Sequence, residues 1–231
     1  MFHKIFDPLF FKNYFINFVG LLIFLTVIRW LVPTNPFLFT FLAGAWFIVI
    51  FFFDLHHFKA LLSTDWQSFK AAKGKMIVSI ICLMLILEVA VIWSSQAFRF
   101  LVPTATSLNT YPLPTNTLAG VLTSIFSGVV NLMVALVEEI AYRYVGMFRY
   151  RKAGIWLIIM LLLSSILFGF SHFYNFNGSF IATVPYMLAG LILGLAYLLT
   201  RNIWVPIIGH MLFNSIGLIS GLILLVLLPF M

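Results

Sequence analysis

The sequence predicts an all-α, polytopic transmembrane helix bundle of about seven spans around an intramembrane cavity, and three observations lead there. Of its 231 residues 63% are hydrophobic and only 8% charged, with a mean hydropathy of +1.13. So little charge cannot cover a soluble surface. Apolar runs of about 20 residues, the helical length that crosses roughly 30 Å of hydrocarbon, recur along the chain. The cations fall in the short connections between those runs, as the positive-inside rule expects.

In chain order the spans are read at Tyr14–Val32, Phe37–Phe53, Met76–Phe98, Leu118–Phe148, Ile155–Phe173, Phe180–Thr200 and Ile203–Leu228. Pro33 and Pro36 separate the first two. Asp54, His56 and His57 resemble a loose metal cluster, but they stand where the second span leaves the membrane and are expected to be solvated at the interface. Lys59, Lys70, Lys73 and Lys75 occupy the connection to the third span. Glu88 in that span is expected to serve in a structural pair or a polar cavity lining. The uncharged stretch Thr104–Thr117, punctuated by Pro112 and Pro114, is a loop that connects spans or covers a cavity mouth. Arg149, Arg151, Lys152 and Gly154 mark the turn between spans four and five, and Arg201 the turn between six and seven. Division of the last span at Gly217 or Gly221 would make eight. Trp30, Trp93, Trp156 and Trp204 lie near span ends as interfacial anchors. No polar tract is long enough for a soluble domain, so residues 1–231 read as one membrane domain.

The net charge of +7 therefore reflects connections facing anionic lipid, and nucleic acid is not an expected partner. Basic and uncharged connections alternate, which puts the N-terminus on the cytoplasmic side with an odd number of spans. The first apolar run has span length and no small-residue cleavage pattern, so it is expected to stay as an anchor. Cys82 is the single cysteine, which leaves no intramolecular disulfide and no cysteine-rich metal site. No internal repeat of fixed period supports an inverted-repeat transporter.

Within this hydrocarbon, Glu138 and Glu139 sit side by side with Arg143 one turn on. Each ionisable group in a bilayer costs roughly +2.5 to +3.5 kcal/mol on insertion scales, so an acidic pair there needs a partner or a purpose. Glu139 and Arg143 are i and i+4 and suit a carboxylate–guanidinium pair. Glu138, about 100° away on a helix, is the freer carboxylate and the candidate general base. His210 and Asn214 share a face at i and i+4, and the Asn214 amide can donate to a developing oxyanion. His172 lies on another span, with Phe168 one turn before it as a pocket wall. Ser171 is expected to point elsewhere. No Gly-x-Ser-Gly serine site and no aspartate diad is present in the spans.

The runs Glu138–Arg143 (EExxxR), Phe168–His172 (FxxxH) and His210–Asn214 (HxxxN), in that order and on separate spans, resemble the CAAX protease and bacteriocin-processing family. This group, also called CPBP or Abi, includes the type II CAAX prenyl endopeptidases. The resemblance covers residues 118–231. It implies an intramembrane endopeptidase of the bacterial cell membrane, acting on a membrane-delivered peptide or protein, such as a lipidated tail, a leader peptide or a pro-peptide. It further implies that Glu138 activates water with help from His172, that His210 and Asn214 form the oxyanion hole, and that Glu139 and Arg143 hold the helix. Bacterial members are commonly described as metalloproteases, and zinc on Glu138, His172 and His210 is the alternative. HExxH is absent, however, and water activation without a metal is favoured. The reading from a different class is a non-proteolytic membrane protein, either a bacteriocin immunity protein or a small proton-coupled transporter.

Overall fold

The structure is a computed structural model, and it describes residues 20–32, 34–102, 113–176 and 178–230. Among the described residues the regular structure is helical throughout. The helices are α1 (Leu21–Leu31), α2 (Pro36–His57), α3 (Lys59–Ala71), α4 (Lys73–Phe98), α5 (Leu118–Glu138), α6 (Ile155–Phe170), α7 (Val184–Thr200) and α8 (Trp204–Leu227). A π-helical segment, Glu139–Val145, continues α5.

Five of these stretches are long and apolar enough to cross a membrane: Pro36–His57, Lys73–Leu101, Leu118–Tyr150, Ile181–Thr200 and Trp204–Phe230. The expected first span begins outside the described residues, at Tyr14. The expected fifth is a helix of 16 residues, Ile155–Phe170. The last span is not divided, since α8 runs unbroken through Gly217 and Gly221. Neither glycine is followed by a proline or a competing cap, and one glycine in an apolar helix costs only about 1 kcal/mol.

Caps define where the helices begin. Asn35 accepts the Leu38 N–H at 3.0 Å, with Pro36 following at the first helical position. Thr117 accepts the Gly120 N–H at 3.2 Å. The connection rich in lysine is not a loop but the helix α3, which sits against the start of α8. Asp65 of α3 accepts the Ile203 N–H at 2.8 Å, and its backbone carbonyl accepts from the Asn202 amide at 2.7 Å. Trp204, read from the sequence as an interfacial anchor, donates its indole N–H to the Leu62 carbonyl at 2.8 Å and meets Trp66 edge-on at 5.2 Å. The Asp65 carboxylate thus satisfies the backbone N–H of Ile203 at the start of α8, and the Asn202 side-chain oxygen that of Trp204 at 3.0 Å.

Bundle contacts run mainly between α5 and α8, α6 and α7, α4 and α7, and α2 and α5. Small residues permit the closest approaches, as is usual where no solvent drives helices together. A Cβ on Gly128 of α5 would stand 2.7 Å from the Leu218 Cα of α8, so these two backbones touch.

One expectation fails within α2. Asp54 is fully buried rather than solvated, and neither carboxylate oxygen has a hydrogen-bond partner among the described residues, while His56 and His57 are exposed. The three do not converge, because Asp54 faces the bundle while the histidines lie on the outer side of the same turn. Glu88 is half-buried on α4, away from the cavity described below.

Candidate active site

The change of helix type at Glu139 arranges the site. In the π-helical segment the Gly146 N–H reaches back five residues to the Ala141 carbonyl at 2.9 Å. Such single-turn widenings recur at functional sites. Here the segment turns both glutamates toward α8. Glu139 is fully buried and its Oε2 lies 3.1 Å from Arg143 Nε, the expected i and i+4 pair. Its other oxygen, Oε1, lies 3.0 Å from Nδ1 of His210. With Oε1 as the acceptor, Nδ1 is the nitrogen that donates. The opposite edge of the same imidazole, Nε2, faces Glu138 Oε2 at 3.8 Å. One histidine thus stands between two carboxylates from a helix 71 residues away in sequence.

Phe168 ties the remaining groups together. It is buried rather than lining the pocket, and its ring touches both imidazoles, His172 at 5.2 Å and His210 at 5.6 Å between centroids. The Arg143 guanidinium carbon lies 4.2 Å from its centroid. A ring face beneath the cation compensates for guanidinium N–H groups that have no hydrogen-bond acceptor among the described residues.

Helix α6 ends at Phe170, so His172 leaves the helix in a turn. Its Nδ1 lies 3.0 Å from the Phe168 carbonyl, which fixes that nitrogen as the donor and leaves Nε2 free to accept. Tyr186 of α7 stacks on the imidazole at 4.3 Å and 26°. Ser171 does not point away as its position on an ideal helix predicts. The turn brings its Oγ to 3.2 Å from His172 Nδ1, while its hydroxyl donates to the Phe168 carbonyl at 2.7 Å. With its proton committed there, Ser171 is not set up as a nucleophile.

A cavity of about 790 Å³ reaches down between α1, α2, α5, α7, α8 and the turn after α6 to these groups, and Glu138, His172 and Asn214 line it together. Asn214 donates one N–H to the Asn131 carbonyl at 3.0 Å, and its second meets no acceptor among the described residues. Leu113 and Thr115, at the end of the proline-bearing loop, also line the cavity, whereas residues 103–112 of that loop lie outside the described set. Sequence reasoning missed Asn131 and Tyr186. Nothing in a lone Asn or Tyr at an ordinary helical position distinguishes it before the helices are packed.

His172 is held through Nδ1 by the Phe168 carbonyl and His210 through Nδ1 by Glu139, an arrangement that leaves both Nε2 edges to meet water, substrate or a metal ion. Among the described residues no three His, Cys, Asp or Glu side chains converge as a metal-holding group.

Fold and site together define a helix-bundle protein whose acids, imidazoles and amide meet at the base of a cavity between apolar helices. Residues 115–216 match the family model described as Rce1-like, type II CAAX prenyl endopeptidase. That segment contains all three motifs, and the match bears out the resemblance read from them. No curated protein and no solved structure gave a significant match.

Proposed function

We propose that this protein is an intramembrane endopeptidase that hydrolyses a peptide bond with glutamate-activated water, without a metal. The observation that carries the reading is the His210 imidazole held by Glu139 at 3.0 Å and facing Glu138 at 3.8 Å, beside a cavity that Glu138, His172 and Asn214 share. The Rce1-like match supports a peptidase of this type.

In this reading Glu138 takes a proton from a water as its oxygen attacks the carbonyl carbon, and the free Nε2 of His172 accepts a hydrogen bond from the same water. The second amide N–H of Asn214 and the Nε2 edge of His210, when protonated, meet the negative charge that develops on the carbonyl oxygen. Glu138 then passes its proton to the amine nitrogen as the C–N bond breaks. Glu139 and Arg143 do not touch the substrate. They fix the His210 ring and the neighbouring turn. The substrate is a membrane-delivered peptide or protein, lipidated tails included. Seven spans, with α1 and α6 completing the set and the N-terminus on the cytoplasmic side, agree with the alternation of basic and uncharged connections.

The test uses purified protein in lipid nanodiscs and a peptide library read by mass spectrometry. Glu138→Gln and His172→Ala are expected to lower cleavage by about 10²- to 10⁴-fold, the usual contribution of a general base and its partner, with unchanged thermal unfolding. Chelation is expected to leave cleavage intact. Wild-type rates in both variants would remove Glu138 and His172 from the chemistry, absence of cleavage by the wild type would return the protein to the non-proteolytic readings, and loss of activity in step with stoichiometric zinc would replace the metal-free mechanism.

A further inference from the structure

Glu138, His210 and Asn214 are carried by helices, whereas His172 stands in the turn that follows α6. Short bonds hold its backbone there, from the His172 N–H to the Gly169 carbonyl at 3.1 Å and from the Asn175 N–H to the His172 carbonyl at 2.9 Å. A turn of that kind does not by itself aim a ring. Nor does the bond between Nδ1 and the Phe168 carbonyl, because one hydrogen bond fixes a point and leaves the imidazole free to tilt and turn about it. Such motion carries Nε2, the nitrogen that meets water in the peptidase reading, away from Glu138.

Tyr186 supplies the missing constraint. Its ring stacks on the imidazole at 4.3 Å and 26°, and it also meets Phe176, at the far end of the same turn, at 5.2 Å and 51°. The Phe168 ring, inclined at 60° to the imidazole, bounds it from another side. A hydrogen bond acts in the plane of the imidazole and a stacked ring acts against its face, so the two together fix where Nε2 points. Tyr186 is in turn placed by backbone. It lies in the first turn of α7, behind Pro185. The next residue, Met187, touches the end of α6: a Cβ on Gly169 would stand 2.7 Å from the Met187 backbone nitrogen. The stacked ring therefore stands on a contact between two helix backbones, close in sequence to both partners.

We propose that Tyr186 is a positioning residue, whose aromatic ring rather than its hydroxyl clamps the His172 imidazole with Nε2 toward the cavity it shares with Glu138. The kinetic consequence rests on the peptidase reading of the site; the clamp itself does not. Tyr186 also lines the cavity, so contact with substrate is the competing role. The two separate in kinetics: loss of a clamp lowers kcat, whereas loss of a wall that only binds substrate raises KM.

The experiment has two arms, both in nanodiscs. In the first, Tyr186→Leu is expected to lower kcat by about ten- to hundredfold, since a displacement of about 1 Å costs up to about 10²-fold, while KM stays near the wild-type value. Tyr186→Phe keeps the ring and is expected to recover kcat to within about threefold of wild type, the low end of what an aromatic pair contributes. The second arm reads the clamp without cleavage, by NMR of protein carrying ¹³C at the ε1 carbons of its five histidines, with signals assigned by single substitutions. At about pH 8.5, where unperturbed imidazoles are neutral, the ring of Tyr186 shields the His172 ε1 proton. Its signal is expected upfield of that of the exposed His56, to move downfield in Tyr186→Leu, and to hold in Tyr186→Phe. If the wild type cleaves no peptide, an upfield His172 signal that depends on the ring at position 186 still supports the clamp, and only the peptidase reading falls. A wild-type His172 signal level with that of His56 overturns the clamp, and this needs no variant to fold. Wild-type kcat in Tyr186→Leu, a raised KM with kcat unchanged, or a loss in Tyr186→Phe as large as in Tyr186→Leu overturns it as well.

Discussion

Glu139 does more than its spacing from Arg143 announces. The i and i+4 relation was legible, but the same carboxylate also holds Nδ1 of His210, across 71 residues, and no local pattern reveals a contact between distant helices. Asp54 shows the converse. Its place beside two histidines at a span end suggested solvent, yet which side of the turn faces the bundle depends on packing that a run of apolar residues on every face does not encode. The double role of Glu139 separates it from its neighbour by experiment. Replacing it with alanine leaves the buried Arg143 without a counter-charge, and breaking a buried pair in this way costs about 3–5 kcal/mol. Glu139→Ala is expected to lose both thermal stability and cleavage, whereas Glu138→Gln loses cleavage alone. Unfolding curves in nanodiscs read the difference, and equal stability for the two variants would remove the structural role assigned to Glu139.

At the scale of elements, the site is a meeting of the α5 end with α8, and both the π-helical widening and the glycine contact serve it. Each motif was readable as a helical spacing on its own span. The widening was not, because an extra residue in one turn leaves no compositional mark. Nor was α3 legible as a helix: its polar residues match its apolar ones closely enough to read as a basic connection, and only its contacts with α8 show what it holds. Gly128 and Gly217 allow the α5–α8 meeting to be tested. A Cβ at Gly128 would lie 2.7 Å from backbone of α8, while at Gly217 nothing stands within 4 Å. Gly128→Ala must therefore push α8, and with it His210 and Asn214, away from the glutamates. It is expected to cost about 1–3 kcal/mol, as overpacking does, and to lower the cleavage rate. Gly217→Ala is expected to be neutral or to stabilise by up to about 1 kcal/mol through helix propensity. Paired unfolding and rate measurements check both, and full activity in Gly128→Ala would show that this contact does not position the site.

Across the whole molecule, the cavity opens among the uncharged connections and α3 closes the basic ones, so the two ends of the bundle have different work. Composition made the membrane class and the helical fold legible; the shared cavity emerges only when five helices are packed together. The α3 contact gives the folded state a pH signature of its own. Asp65 is half-buried, and that burial pushes its carboxyl above the usual carboxylate range, with the hydrogen bond from the Ile203 N–H pulling the smaller way. Between the ordinary value, about 3.9, and the raised one, the folded protein holds more protons at this position than the unfolded chain does. Stability contributed here must therefore fall as pH rises through that window. Asn at position 65 keeps an acceptor for the Ile203 N–H, since asparagine caps helices as well as aspartate, but it cannot titrate. Other acids contribute equally to both proteins, so the difference between wild-type and Asp65→Asn melting temperatures, followed upward from about pH 4, isolates this one carboxyl. That difference is expected to shift in favour of Asp65→Asn as pH rises and then level off. A shift in the opposite sense would mean that the cap outweighs burial and that the charged carboxylate is what α3 contributes to the start of α8.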